Sequence, residues 1–232
     1  MIIKRLISTG LVLSMVLSLT GCLSFFDSDS KESAPVKPTQ TNEQVRSQLS
    51  LAAAFLMEGD YNRALPELMK AREMDPKNPD VENYLGLAYY RMKNYDLAIE
   101  SFNKSLSYNP NRADVHNNLG LVYLDTQNYE KALSEFNQCL ANPDYQKKHL
   151  PLSNIGLSYI EMGRYDEAIS SLNQAVAVDP NYGKSYQLLG RAYLTKGDNR
   201  SALTALENAA RLDPGDQEAA MLLQEAQKRL RR

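Results

Sequence analysis

From residue 45 onward the apolar positions fall three or four apart in blocks of about a dozen residues, the spacing of one helical face. The blocks themselves recur. Leu85-Gly86-x-x-Tyr89 returns as Leu119-Gly120-x-x-Tyr123, Ile155-Gly156-x-x-Tyr159 and Leu189-Gly190-x-x-Tyr193, with the glycines 34, 36 and 34 residues apart. Leu51-Ala52 followed by Phe55 is the same pattern one period earlier. Self-similarity at this period predicts stacked helical hairpins, each burying its apolar face on its neighbours, and not a single enzyme-like core.

A second block follows each first one. It carries Ala64, Ala98, Ala132, Ala168 and Ala202, then Leu68, Phe102, Phe136, Leu172 and Leu206. One turn further on stand Ala71, Ser105, Cys139, Ala175 and Ala209. The small positions let the two helices of a hairpin approach closely, and the large ones fill the gap between them. Asp75-Pro76, Asn109-Pro110, Asp179-Pro180 and Asp213-Pro214 stop the second helix, because a residue before proline is pushed out of the α region. Five hairpins fit, at 45–78, 79–112, 113–148, 149–182 and 183–216. Glu218, Ala219, Leu222, Leu223 and Ala226 then predict a capping helix within 217–232 that covers the last open face.

This pattern resembles the tetratricopeptide repeat, with its Leu-Gly, Tyr, Ala, Phe and Pro at fixed places. The resemblance implies an all-α, right-handed superhelical solenoid of about five repeats in which the first helix of each hairpin lines a concave surface. The first copy has Ala52 where the family uses Gly, and none carries the large Trp often found early in the first helix. Carried onto this chain, the inward positions are Ala53 and Leu56, Leu87 and Tyr90, Leu121 and Leu124, Leu157 and Ile160, then Arg191 and Leu194. They form an almost continuous apolar stripe, beside which Asn83, Asn117 and Ser153, with Asn118 and Asn154, are candidates to bond a ligand backbone. Such a groove means a protein partner, unless neighbouring helices or the N-terminal segment cover part of it. The Lys/Arg cluster with which chaperone-binding relatives grip a C-terminal carboxylate is missing, since only Arg46, Arg91, Lys184 and Arg191 are scattered along the groove. A strand or amphipathic helix laid into the groove fits better.

The third-to-fourth junction departs from the period. Pro143 comes one place early and Asp144-Tyr145-Gln146-Lys147-Lys148 lengthens the loop. Two readings stand: a tolerated surface insertion, or a local change of pitch that shapes the binding surface.

The first 21 residues are of another kind. Lys4 and Arg5 precede an apolar run from Leu6 to Leu19, which is shorter than the roughly 20 residues of a comfortable membrane span and suits an export signal. Leu19-Thr20-Gly21-Cys22 resembles the lipobox of bacterial lipoproteins, which implies cleavage before Cys22 and lipidation of its thiol; the alternative is an ordinary secretory peptide with an incidental Cys. Several acyl chains anchor a protein stably where one does so only marginally. Leu23 in place of Asp points, by the sorting rule of enteric bacteria, to the outer membrane with the repeats facing the periplasm. The Ser-, Asp-, Lys- and Pro-rich stretch over 22–42 reads as a linker from the lipidated Cys to the repeat domain at 43–232.

Composition narrows the function. The 232-residue chain has 26 Lys and Arg against 28 Asp and Glu; loss of residues 1–21 leaves 24 against 28, a net charge of −4. That mild acidity argues against nucleic acid, and the basic end Lys228-Arg229-Leu230-Arg231-Arg232 reads as a solvated helix terminus. With Cys22 lipidated, Cys139 is the remaining thiol and no internal disulfide can form; it reads as buried and inert. His116 and His149 lie in different repeats with no ligand-spaced cluster, so no metal or cofactor is expected. No nucleophile–base pair, phosphate loop or carboxylate pair stands outside repeat positions, so neither an enzyme nor a small-molecule substrate is expected.

Lipobox, short linker and repeats together resemble the pilotin lipoproteins of type IV pilus biogenesis, and the Tyr-containing loop at the third junction is similar too. The resemblance implies an outer-membrane scaffold that binds the pilus secretin subunit and promotes its localisation and ring assembly. A periplasmic lipoprotein adaptor that recruits cell-wall or outer-membrane assembly factors has the same architecture and is the alternative.

Overall fold

The computed structural model describes residues 40–231; the signal segment, Cys22 and most of the predicted linker lie outside them. The described residues form eleven helices: α1 (Gln40–Glu58), α2 (Tyr61–Met74), α3 (Pro79–Arg91), α4 (Tyr95–Tyr108), α5 (Ala113–Asp125), α6 (Tyr129–Ala141), α7 (His149–Glu161), α8 (Tyr165–Val178), α9 (Gly183–Lys196), α10 (Asn199–Leu212) and α11 (Gln217–Leu230). The five hairpins fall where the period places them. α1 starts at Gln40, three residues ahead of the predicted domain start at 43.

Local chemistry explains the boundaries. Asn78 caps α3 by accepting from the Asp80 and Val81 amides at 2.9 and 3.3 Å, and Pro79 opens the helix where its missing N–H costs nothing. Asp60, Asp198 and Asp216 cap α2, α10 and α11 in the same way. The turn inside each hairpin needs one left-handed residue at the same repeat position: Gly59, Lys93, Gln127, Gly163 and Gly197, with φ between 59° and 84°. Glycine adopts this conformation without strain, whereas Lys93 and Gln127 do not.

Within each hairpin a glycine sets how closely the helices approach. A Cβ on Gly86 would stand 2.6 Å from two carbons of the Phe102 ring, and one on Gly120 would stand 2.5 Å from Phe136. Gly156 meets Leu172 and Gly190 meets Leu206 in the same manner. Ala52 and Leu68, both fully buried, hold the equivalent places in the first hairpin.

The core belongs to junctions between hairpins. Ala52, Leu68 and Ala71 of the first hairpin pack with Val81, Leu85 and Ala88 of the second, and the arrangement repeats along the stack. Ala219 and Ala226 of α11 are fully buried, and Leu222 and Leu223 pack on Leu194, Ala202 and Leu206. Arg229 donates to the Leu194 carbonyl at 2.9 Å, closing the end of α9. α11 thus takes the place of the first helix of another hairpin. Its Gln224, where earlier copies need glycine, is exposed because no second helix of the described residues packs there.

The long third junction does not break the stack. α6 packs on α7, and α5 still touches α7. The extra residues fold back: Asn142 donates to the Asn111 carbonyl at 2.9 Å, and the half-buried Tyr145 hydroxyl bonds Cys139 Sγ.

Candidate protein-binding groove

The first helices α1, α3, α5, α7, α9 and α11 touch one another in succession, whereas no second helix among the described residues touches the next second helix. A row of helices drawn together on one side and splayed on the other curves, and its close side is concave. The inward-facing residues of the sequence reading therefore lie on the curved inner wall, but they do not all stay accessible.

Three of the predicted wall residues are core. Leu124, Ile160 and Leu194 are 8, 8 and 5 % exposed, because the helix of the following hairpin closes over each of them. Leu124, for example, packs with Ile155 of the next hairpin. Leu121 and Leu157 are half-buried against the same clusters. The expected stripe along four repeats is therefore interrupted, and neighbouring helices account for the interruption.

The asparagines are also partly engaged. Asn83 is buried, donates to Asp114 Oδ2 at 3.4 Å and accepts from Asn118 at 3.3 Å. Asn117 is likewise buried and accepts from Asn154 at 3.2 Å. Ser153 meets Ser185 at 2.7 Å. These bonds tie each hairpin to the next, so buried amides satisfy one another across repeat boundaries. Tyr90 donates to Asp125 Oδ2 at 2.9 Å, and Arg191 pairs with Glu161 at 2.7 Å.

An open stretch lies between α1 and α3. A cleft of about 540 Å³ is lined by Ala53, Leu56, Met57, Tyr84, Leu87 and Arg91, among others. A second, of about 490 Å³, is lined by Arg46, Leu49, Ala53, Asn83, Tyr84 and their neighbours. They share Ala53 and Tyr84 and so form one trough along the two helices. Met57 is 90 % exposed, an unusual place for a large apolar side chain that nothing among the described residues covers. Sequence reading placed Ala53, Leu56 and Leu87 here but missed Tyr84 and Met57. Met57 is the next residue after Leu56, and Tyr84 sits where later hairpins carry Asn118 and Asn154.

The electrostatics at one end are set by Arg112, which reaches Asp80 at 2.5 Å and Asp114 at 2.7 Å. Burial alone would raise the Asp114 carboxyl; Arg112 more than offsets this and holds it below the usual carboxylate range. Burial, then the bond to Asp125, pushes Tyr90 up, so its hydroxyl stays protonated as a donor. The trough thus has an apolar floor and a fixed polar rim, which suits holding a chain segment. Among the described residues no group of His, Cys, Asp and Glu side chains is placed to hold a metal ion, and no helix is long and apolar enough to cross a membrane.

Comparison with known proteins gives the scaffold its place. Two tetratricopeptide-repeat profiles match the sequence, one over residues 55–100 and 159–226 and the other over 79–143. No curated protein matches by sequence. Among solved structures, PilW, described as a widely conserved type IV pilus biogenesis factor, is similar at 24% identity and a TM-score of 0.76, over 82% of this chain and 87% of that one. PilF of Pseudomonas aeruginosa is similar at 19% identity with a TM-score of 0.76, over 82% and 86%. YrrB, described as a repeat protein with an unusual peptide-binding site, is similar at 22% identity and a TM-score of 0.60, over 81% and 94%. At these identities the likeness establishes a shared fold. With repeat profiles spanning more than half of its length and the hairpin stack itself, the chain belongs to the tetratricopeptide-repeat family.

Proposed function

We propose that this protein is a lipid-anchored scaffold that works as a pilotin: it binds the secretin subunit of the type IV pilus and promotes its localisation and assembly. It acts by holding a partner, not by turning over a substrate. Cys22 carries the lipid, the segment from Cys22 to the start of α1 tethers the repeats, and the repeats face the periplasm from the outer membrane. The observation that carries this reading is the α1–α3 trough, an open cleft on the concave side of the stack with Ala53, Leu56, Tyr84 and Leu87 along its floor. The near full-length fold likeness to PilW and PilF supports the pilus assignment. The Leu19-Thr20-Gly21-Cys22 sequence supports the anchor.

The experiment is a deletion strain examined for multimeric secretin and for surface pili. Loss of the heat-resistant multimer with monomer retained is the expected outcome. Normal multimers and pili would instead favour an adaptor for cell-wall or outer-membrane assembly factors. Cys22→Ala should release the protein into the soluble periplasmic fraction; unchanged partitioning into detergent would contradict the anchor.

A further inference from the structure

Building on the partner-binding reading above, we infer that the α1–α3 trough takes an extended segment whose middle is apolar and whose two ends each carry an acidic residue. Five cationic side chains come into question: the four that the sequence sets along the groove, and Arg112, which lines the trough but is tied to Asp80 and Asp114. Arg191 is tied to Glu161 at 2.7 Å, and Lys184 lies 3.6 Å from Glu218. Arg46 and Arg91 make no ion pair or hydrogen bond among the described residues, and both are exposed. Both line the trough, Arg46 beside Leu49 and Ala53, Arg91 beside Leu87.

The acids along the rim are already engaged. Asp80 and Asp114 are held by Arg112, and Glu58 is held by Arg63 at 3.1 Å. In a chain with more acids than bases, two unopposed guanidinium groups at opposite ends of one apolar trough form a complementary pattern for carboxylates. Guanidinium favours such partners because its forked donors match both carboxylate oxygens.

The spacing sets the length of the segment. α1 and α3 hold equivalent places in successive hairpins, with Arg46 at the second position of its repeat and Arg91 at the thirteenth. Eleven steps of helical rise separate them by about 16 Å along the axis. α1 and α3 also touch, so the trough runs along the seam between them. An extended strand laid along that seam, at about 3.3 Å per residue, covers the distance in about five residues. The docked segment therefore carries Asp or Glu at two places four to six residues apart, with apolar side chains between them facing Leu56, Tyr84 and Leu87.

The test is selection of a random decapeptide phage library on the detergent-solubilised full-length protein. The enriched peptides should carry two acidic residues at that spacing around an apolar centre. A selected peptide, made synthetically and labelled, should bind the Arg46→Gln, Arg91→Gln double variant at least ten-fold more weakly, with the helical circular dichroism of the variant unchanged. Enriched peptides with neutral or basic flanks, or equal binding by the double variant, would overturn the acidic pattern while leaving the groove reading in place. An empty selection, or peptides that bind Leu87→Glu undiminished, would overturn both.

Discussion

Gly86 on α3 lies against the ring of Phe102 on α4 so closely that even a methyl group has no room: an added Cβ would stand 2.6 Å from two ring carbons. Phe102 is fully buried and its ring cannot swing clear. Gly86→Ala gains helix propensity of about 1 kcal/mol, but overpacking at so short a contact lies at the upper end of the usual cost, about 2–3 kcal/mol, so the variant should be less stable by about 1–2 kcal/mol. Chemical denaturation measures this, and a Gly86→Ala protein as stable as the parent would mean the hairpin can open at no cost.

The turn residues predict the opposite sign. Lys93 and Gln127 have φ of 59° and 60°, where the other three hairpins use glycine. Both side chains are exposed, so replacement removes no packing. Lys93→Gly and Gln127→Gly should each stabilise the protein by about 0.5–1 kcal/mol, since relief of left-handed strain outweighs the added freedom of the unfolded chain. A fall in the denaturation midpoint for either variant would show that the turn is not strained.

The hairpins, their boundaries and the capping helix were legible because the same physical problem is solved five times. Gly or Ala opposite Leu or Phe, and Asp or Asn before Pro, are local requirements that leave a readable trace. The binding surface was less legible. Whether a side chain such as Leu124 faces solvent depends on how far the next hairpin leans over it, and no residue in its own repeat records that. Leu87 and Leu124 look alike in sequence, yet the first lines an open trough and the second is 8 % exposed. Asn83 and Asn117 were read as ligand-facing for the same reason, and instead bond the neighbouring hairpin.

His116 joins three elements. Its Nδ1 lies 2.7 Å from Glu135 Oε2 on α6 and its Nε2 lies 3.2 Å from the Pro110 carbonyl before α5. Both partners are acceptors, so the imidazolium, which donates from both nitrogens, fits best. The Glu135 bond raises its pKa, burial opposes this, and the Pro110 carbonyl and the charges of Glu135 and Asp114 raise it further. A group with a raised folded-state pKa contributes stability that is fully present below its unfolded value, about 6.5, and is lost as pH rises through the folded value. Proton NMR of the two histidine rings should show His116 titrating above about 6.5, and Glu135→Gln should bring it down. Titration of His116 below that value in the parent would contradict the clamp.

Cys139 should be inert. Burial pushes its thiol up to about 12, with the Asp114 charge adding to the shift and the Tyr145 hydroxyl opposing it. In protein whose Cys22 is acylated or replaced by Ala, a thiol reagent at about pH 8 should react only after denaturation, since the thiolate is the reactive form. Tyr145→Ala, which strips the cover supplied by the long third junction, should make the thiol reactive in the folded state. Rapid labelling of the native parent would contradict this.

The most direct measurement of the central claim is secretin assembly in strains carrying Leu87→Glu or Met57→Glu in place of the parent protein. Met57 is 90 % exposed and Leu87 is half-buried, so a charge at Met57 perturbs the trough without touching the core. Retained helical circular dichroism, normal protein levels and loss of the heat-resistant secretin multimer in both strains are the predicted result. Normal multimers in the Met57→Glu and Leu87→Glu strains would show that the α1–α3 trough is not where the partner is held.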